Sequence, residues 1–260
     1  MMNSRDNVLE TLLCISICII SLIVAVPFSL GAEEQDQEPE NASNPLAAVK
    51  NTDVRVQYFD LGDDAEMYDF FLDGAFMLNP KLKIKYELHY WDTDVTGNNE
   101  KDWESLHLKS IYFPKEGVWG RFKYRLAVGL EWILDFDNSD KGIGSGSDQL
   151  APLAGVALVG EKGLVLVPLI QHFVEYSGPD VNMTAFRLIG IQSFPNKFWA
   201  KLDAKLPVDW ENDNAVPATV EVQLGKTFTP LIGMYIDGLF GIGSDRPYDW
   251  GAGLGVRFSY

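Results

Sequence analysis

Residues 121–137 read R-F-K-Y-R-L-A-V-G-L-E-W-I-L-D-F-D, and this stretch decides the fold class. Every even position from Phe122 to Phe136 carries an apolar residue. The odd positions carry charged residues, among them Lys123, Arg125, Glu131 and Asp135. Successive side chains of a β-strand point to opposite faces, so one face of this strand is apolar and the other largely charged. The pattern predicts a long β-strand.

The same alternation recurs along the chain, most clearly over 81–92, 217–228 and 250–260. Shorter and longer breaks tend to alternate between the predicted strands, which is typical of barrels with tight periplasmic turns and larger external loops. Counting strands between the breaks gives about twelve, starting near Asp53 and finishing at Tyr260, and an even number brings both ends of the chain to the same side of the membrane. The sequence therefore predicts an all-β chain that forms a transmembrane antiparallel up-and-down β-barrel over residues 53–260.

Alternation alone would also fit a soluble β-sandwich or a lipocalin-like barrel. We favour a membrane barrel because the strands are long, the apolar face is rich in aromatic residues, and several tryptophans fall at predicted strand ends. These are Trp103, Trp119, Trp199, Trp210 and Trp250. The final V-R-F-S-Y, ending at Tyr260, resembles the recognition signal of the barrel-assembly machinery. The expected location is the bacterial outer membrane, with outer-membrane lipid and lipopolysaccharide as neighbours.

The first 52 residues read differently from the rest of the chain. An apolar run from Leu12 to Leu30 follows a charged start and precedes small residues. This pattern predicts a signal peptide over 1–32 that is cleaved near Ala32. A retained membrane anchor is the alternative. Residues 33–52 are rich in Glu, Gln, Asn and Pro and are predicted to be a flexible acidic lead-in, with a short plug or partner-binding tail as the alternative. Both cysteines lie in the predicted signal peptide, so disulfides and thiolate sites are not expected after it.

Composition and motifs exclude several function classes. The net charge of −16 argues against a nucleic-acid partner, because phosphate binding needs a basic patch. The three histidines, His89, His107 and His172, have no serine in a nucleophile-elbow pattern and no metal-ligand spacing. We therefore expect lumen or loop roles for them, no metal, no cofactor and no enzymatic activity.

The predicted inward face is the best candidate for function. It mixes both signs of charge, so the residues could either line a narrow polar channel or pair and fill the interior. Those predicted to line the lumen are Lys83, Lys85, Glu87, His89, Arg125, Glu131, Arg187, Lys201, Asp203, Glu221, Gln223, Asp237 and Arg257. Residues 149–174 are apolar on both faces and could give the lumen an apolar wall for a small apolar solute.

Several segments together resemble a known family. They include D-Q-L-A-P-L-A-G-V-A-L (148–158), L-V-P-L-I-Q-H-F-V-E-Y-S-G (166–178) and W-A-K-L-D-A-K-L-P-V-D-W-E-N-D (199–213). V-E-V-Q-L-G-K (220–226) and D-R-P-Y-D-W-G-A-G-L-G-V-R-F-S-Y (245–260) complete the set. They are similar to the outer-membrane transporter-like barrels associated with the phenol meta-cleavage pathway. The resemblance implies a barrel that passes aromatic or other apolar compounds, and it supplies no catalytic residues.

Three functions are thus open at this point. The first is a passive channel or transporter for small apolar or aromatic compounds. The second is a closed structural or adhesive barrel that passes nothing, and the third is a lipid-modifying outer-membrane enzyme.

Overall fold

A computed structural model of the chain describes residues 43–260. The predicted signal peptide and residues 33–42 of the predicted lead-in lie outside the described residues. Within residues 43–260, no helix is both long enough and apolar enough to cross a membrane.

The described chain is built almost entirely of antiparallel strands. Their bounds are β1 (Asn51–Gly62), β2 (Ala65–Asn79), β3 (Leu82–Thr93), β4 (Glu100–Tyr112), β5 (Glu116–Trp119), β6 (Phe122–Asp135), β7 (Asp148–Val159), β8 (Leu164–Ser177), β9 (Asn182–Ser193), β10 (Phe198–Asp209), β11 (Ala218–Thr227), β12 (Ile232–Ile242) and β13 (Trp250–Ser259). Three single-turn 3-10 helices lie in connections, at Ser139–Lys141, Glu161–Gly163 and Pro195–Lys197.

Apart from β4 and β5, which do not pair with each other, each strand pairs with its neighbours in sequence, and two further pairings close the sheet on itself. β1 pairs with β13, and β4 pairs with β6. The short β5 pairs with the first residues of β6, directly beyond the end of β4, so β4 and β5 together occupy one position in the barrel. The predicted twelve-stranded antiparallel barrel is confirmed, with β5 as one additional strand.

Two predicted boundaries differ from the structure. Sequence alternation predicts a short break between strands over 114–120, but this break contains β5, because the chain resumes pairing with β6 after Pro114, a residue that has no N–H to donate to a ladder. The first strand begins at Asn51, two residues before the predicted start, since Asn51 pairs with both Ala75 and Ser259.

The outer surface of the barrel is apolar. Large side chains such as Leu202, Leu206 and Ile236 are more than half exposed and sit at even positions of their strands. Such a continuous apolar band is costly in water and stable in hydrocarbon, which is the pattern of a transmembrane barrel. Aromatic residues flank the apolar band at both ends, and aromatic residues are favoured at membrane–water interfaces. They include Trp103, Trp119, Trp210 and Trp250.

One predicted member of this aromatic set lies elsewhere. Trp199 is only 7% exposed and points into the barrel, where its ring centroid is 5.7 Å from that of Tyr235. Its odd position on β10 places it on the inner face, together with Lys201 and Asp203. The odd position of Trp199 in its strand therefore predicts its environment better than its location at a strand end.

Candidate functional site: the barrel lumen

The odd-numbered faces of the strands enclose the lumen, and contacts that skip strands show this directly. Arg55 Nη2 of β1 lies 2.9 Å from Asp237 Oδ2 of β12, and β13 lies between these strands in the sheet. Gln171 of β8 donates to Glu131 of β6 at 2.5 Å, past β7. These side chains reach one another only across the curved inner surface.

One wall of the lumen carries a chain of ion pairs with alternating charge. The Arg187 guanidinium binds Asp203 through two N–H groups, and Lys201 Nζ lies 3.6 Å from Asp203 and 2.8 Å from Glu221. Arg55 Nη2 then lies 3.7 Å from Glu221. Gln223 donates to Asp237 at 2.6 Å and extends the network. Because each charge faces an opposite partner, this wall is rigid and nearly balanced in charge.

A second cluster gathers on β2, β3, β4 and β6. Glu131 accepts from Lys109 Nζ at 2.9 Å and contacts His107 Nδ1 at 2.9 Å. His89 Nδ1 lies 2.9 Å from Asp69, and the two imidazole rings are 5.3 Å apart. Lys85 pairs with Glu87 at 3.3 Å on the same face of β3.

The buried carboxylate of Asp53 fixes the first strand to the last two. It is 1% exposed and accepts from Arg257 at 2.6 Å, from the Tyr235 hydroxyl at 2.8 Å and from Asn51 at 2.8 Å. Tyr235 can lie flat against β13 because Gly255 has no side chain, and a Cβ there would overlap the tyrosine ring. The small inward residues of the last strand thus make room for neighbouring side chains, as the sequence suggested.

Ser105, His107 and Glu131 form a hydrogen-bonded array that sequence inspection did not reveal. His107 Nε2 is 2.8 Å from Ser105 Oγ, while its Nδ1 contacts Glu131. Ser105 is fully buried beside a register shift between β3 and β4, and its hydroxyl also contacts Glu104. The β4–β6 pairing places Glu131 opposite Lys109, diagonal to His107, so the array could not be read from spacing along the chain.

Part of the predicted lead-in lies inside the barrel. Leu46 and Ala47 are 1% and 0% exposed. Lys83 Nζ donates to the carbonyls of Pro45 at 3.0 Å and Ala47 at 2.8 Å, and Arg125 Nη1 donates to the carbonyl of Leu46 at 3.3 Å. Residues 44–47, here called the lumen segment, therefore make specific contacts with the inner face of the barrel.

The Leu46 side chain packs against an apolar wall at the end of the barrel where β1 begins. The buried members of this cluster are Leu46, Ile111, Phe113, Ala127, Ala157, Val167, Ile189 and Ile191, with Met77, Val165 and Leu169 packed against them. The predicted apolar sector over 149–174 contributes only part of it. The lumen segment, β2, β4, β6, β9 and Phe113 directly after β4 supply the rest.

The thirteen residues predicted to line the lumen all lie on this inner face. Most of them bind one another. Lys83 and Arg125 bind the lumen segment, and Arg257 binds Asp53. The sequence reading omitted Asp53, Arg55, Lys109 and Tyr235, although their odd positions on alternating strands carried the same signal. His172 lies on the opposite, even-numbered face, where it contacts Thr184. Residues 43–260 contain no group of three or more His, Asp or Glu placed to hold a metal ion.

Not all of the lumen is filled. Lys205 is exposed although it faces inward opposite Arg187 in the β9–β10 register. The side chains of Arg187 and Glu87 retain 28% and 24% exposure. Water-accessible space thus adjoins the paired charges.

Comparison with known proteins identifies similar barrels but no sequence family. No family model matches the chain, and no curated protein matches it. Among solved structures, the NanC porin is similar with a TM-score of 0.60 at 13% identity, over 80% of this chain and 98% of that one. An outer-membrane channel from Pseudomonas putida F1 gives 0.57 at 9% identity, over 88% and 100% of the two chains. The KdgM porin gives 0.55 at 10% identity, over 81% and 99%.

These similar proteins are outer-membrane porins and channels. At such low identity the likeness establishes the fold alone.

Proposed function

We propose that this protein is a passive channel of the bacterial outer membrane for small apolar or aromatic compounds. The observation that carries the proposal is a barrel with an apolar outer surface, whose lumen combines water-accessible charges with an apolar wall at the end where β1 begins. The porin and channel folds of the similar structures support a transport role, and the family resemblance of segments such as 148–158 supports aromatic or apolar solutes.

A closed structural barrel is the main alternative function, because paired charges can fill and rigidify the interior of a barrel. The exposure of Lys205 and Arg187 speaks against complete filling. The apolar wall also lies on the lumen side rather than between packed layers.

Planar-bilayer recording tests the proposal. We expect the purified protein to give stepwise currents, and small aromatic solutes to quench its tryptophan fluorescence saturably, because Trp199 lies inside the lumen. Absence of current steps in both the wild type and a variant lacking the lumen-segment contacts would favour the closed barrel. Non-saturable quenching would argue against a solute site.

The Ser105–His107–Glu131 array makes ester hydrolysis the second candidate function, since a serine, an imidazole and a carboxylate in this order can activate a nucleophile. Ser105 is fully buried, however, and Glu131 is also bound by Lys109 and Gln171. We therefore expect a fluorophosphonate probe to leave Ser105 unmodified. Covalent labelling that is lost in Ser105→Ala would instead establish hydrolysis.

A further inference from the structure

We propose that the outer rim of the barrel, at the end where β1 begins, binds the headgroup of an anionic phospholipid, with Lys226 at the centre of the site. The inference concerns the outer surface and goes beyond the proposed channel function. It names one class of lipid and the leaflet in which that lipid lies.

The connections between strands carry opposite charges at the two ends of the barrel. At the end where β1 begins they contain one acidic residue, Glu161, and five basic residues, namely Lys81, Lys115, Arg121, Lys162 and Lys197. At the opposite end they contain two basic residues, Lys141 and Arg246, and ten acidic ones, namely Asp63, Asp64, Asp94, Asp137, Asp140, Asp180, Glu211, Asp213, Asp245 and Asp249. Anionic lipid is therefore attracted to the first end and repelled from the second.

The lengths of these connections indicate which leaflet the basic end meets. Residues 194–197 and 228–231 form the β9–β10 and β11–β12 turns at the basic end, whereas the longer segment 136–147 joins β6 and β7 at the acidic end. Outer-membrane barrels have short turns on the periplasmic side and longer loops outside. The basic end thus lies in the periplasmic leaflet, which is built of phospholipid.

Lys226 lies at this end on the outer face of β11, the face that also carries the exposed Leu224. It pairs in register with Phe198 of β10. Its Nζ lies 4.5 Å from the centroid of the Phe198 ring and 5.5 Å from that of the Phe228 ring. The two phenylalanines are 46% and 56% exposed, so the ammonium is held between rings that themselves face the membrane interface.

Among the described residues, no carboxylate neutralises this ammonium. Lys226 makes no hydrogen bond and no ion pair within residues 43–260. The strand ends and turns around it, residues 184–202 and 222–236, contain no Asp or Glu, and they add a second cation, Lys197, directly before Phe198. A lysine on an apolar outer face extends its charge toward the interface. The phosphate of a lipid headgroup supplies the opposite charge there, while its acyl chains lie along the apolar side chains of β10 and β11.

Native mass spectrometry of the detergent-solubilised protein, purified from membranes, tests the inference. The probes are phosphatidylglycerol and phosphatidylcholine with identical acyl chains, which differ in the net charge of the headgroup. We expect the wild type to bind the first phosphatidylglycerol about fivefold more tightly than phosphatidylcholine, the contribution of one basic residue near a membrane surface. Lys226→Met should bind the two lipids equally, and Lys226→Arg should keep the preference.

A lysine at the opposite end provides the matched control. Lys141 pairs with Asp102, and Lys141→Met should leave the preference for phosphatidylglycerol unchanged. Equal affinities for the two lipids in the wild type, or an undiminished preference in Lys226→Met, would overturn the inference. Heat-modifiable gel mobility reports that each variant is folded.

A soluble phosphate ester separates a lipid site from a site for free phosphate. Glycerol 3-phosphate carries the charged group of the lipid without its acyl chains. We expect it not to displace phosphatidylglycerol at tenfold excess, because the acyl chains contribute apolar contacts that the soluble ester lacks. Complete displacement would reject a lipid as the occupant.

Discussion

Replacing Pro45, Leu46 and Ala47 with Gly, Ser and Gly should raise the single-channel conductance severalfold. The change removes a leucine whose burial is worth about 1.5–3 kcal/mol. It also loosens carbonyl contacts to Lys83 and Arg125, and hydrogen bonds to charged groups contribute about 1.5–3 kcal/mol each. Because each 1.4 kcal/mol is roughly a tenfold change in population, the wild-type segment should leave its site only rarely.

A lipid-facing substitution provides the control for this experiment. Leu202→Ser also removes a leucine side chain, but from the outer surface, where it contacts nothing in the lumen. Its conductance should match the wild type. If the segment variant also conducts like the wild type, residues 44–47 do not limit passage.

Asp53→Ala should lower the free energy of unfolding by about 3–5 kcal/mol, the usual cost of removing one partner from a buried ion pair. The substitution leaves the Arg257 guanidinium without its nearest carboxylate and removes the acceptor of the Tyr235 hydroxyl. The three strands joined by these contacts include β1 and β13, which form the closing pair. Urea unfolding from phosphatidylcholine vesicles measures the loss.

An exposed ion pair offers a matched comparison for Asp53. Arg246 and Asp249 interact at 2.5 Å in the loop before β13, with side chains more than 40% exposed. Asp249→Ala should therefore cost less than about 1 kcal/mol. Equal decreases in the free energy of unfolding for Asp53→Ala and Asp249→Ala would mean that the burial of Asp53 contributes nothing to barrel closure.

Alternation along the strands was sufficient to predict the barrel and the direction of most side chains. Arg125, Arg187 and Asp203 lie at odd positions of their strands, and a strand in a closed sheet has only two faces, of which the outer one is apolar. The same alternation in β1 predicts that Arg55 and Asp53 face inward, because both occupy odd positions. Trp199 shows that the position in the alternation outweighs proximity to a strand end.

What alternation cannot supply is the partner of each side chain. The Arg55–Asp237 contact skips a strand, and the Ser105–His107–Glu131 array depends on the register of β4 against β6. Both follow from barrel curvature and closure. For the lumen segment, a short plug was only one alternative, because its contacts with Lys83, Arg125 and the apolar wall cannot be read from its own composition.

The lumen segment also constrains the order of assembly. Asn51 pairs with Ser259, so the seam of the barrel forms only after the final strand has been made. The segment ends only three residues before β1 begins, and a polypeptide cannot pass through a paired sheet. It must therefore be drawn inward as the sheet curls, or enter later through an open end. The pairing of β1 with β13, which closes the barrel, therefore also fixes where the chain that leads into the lumen segment enters the wall.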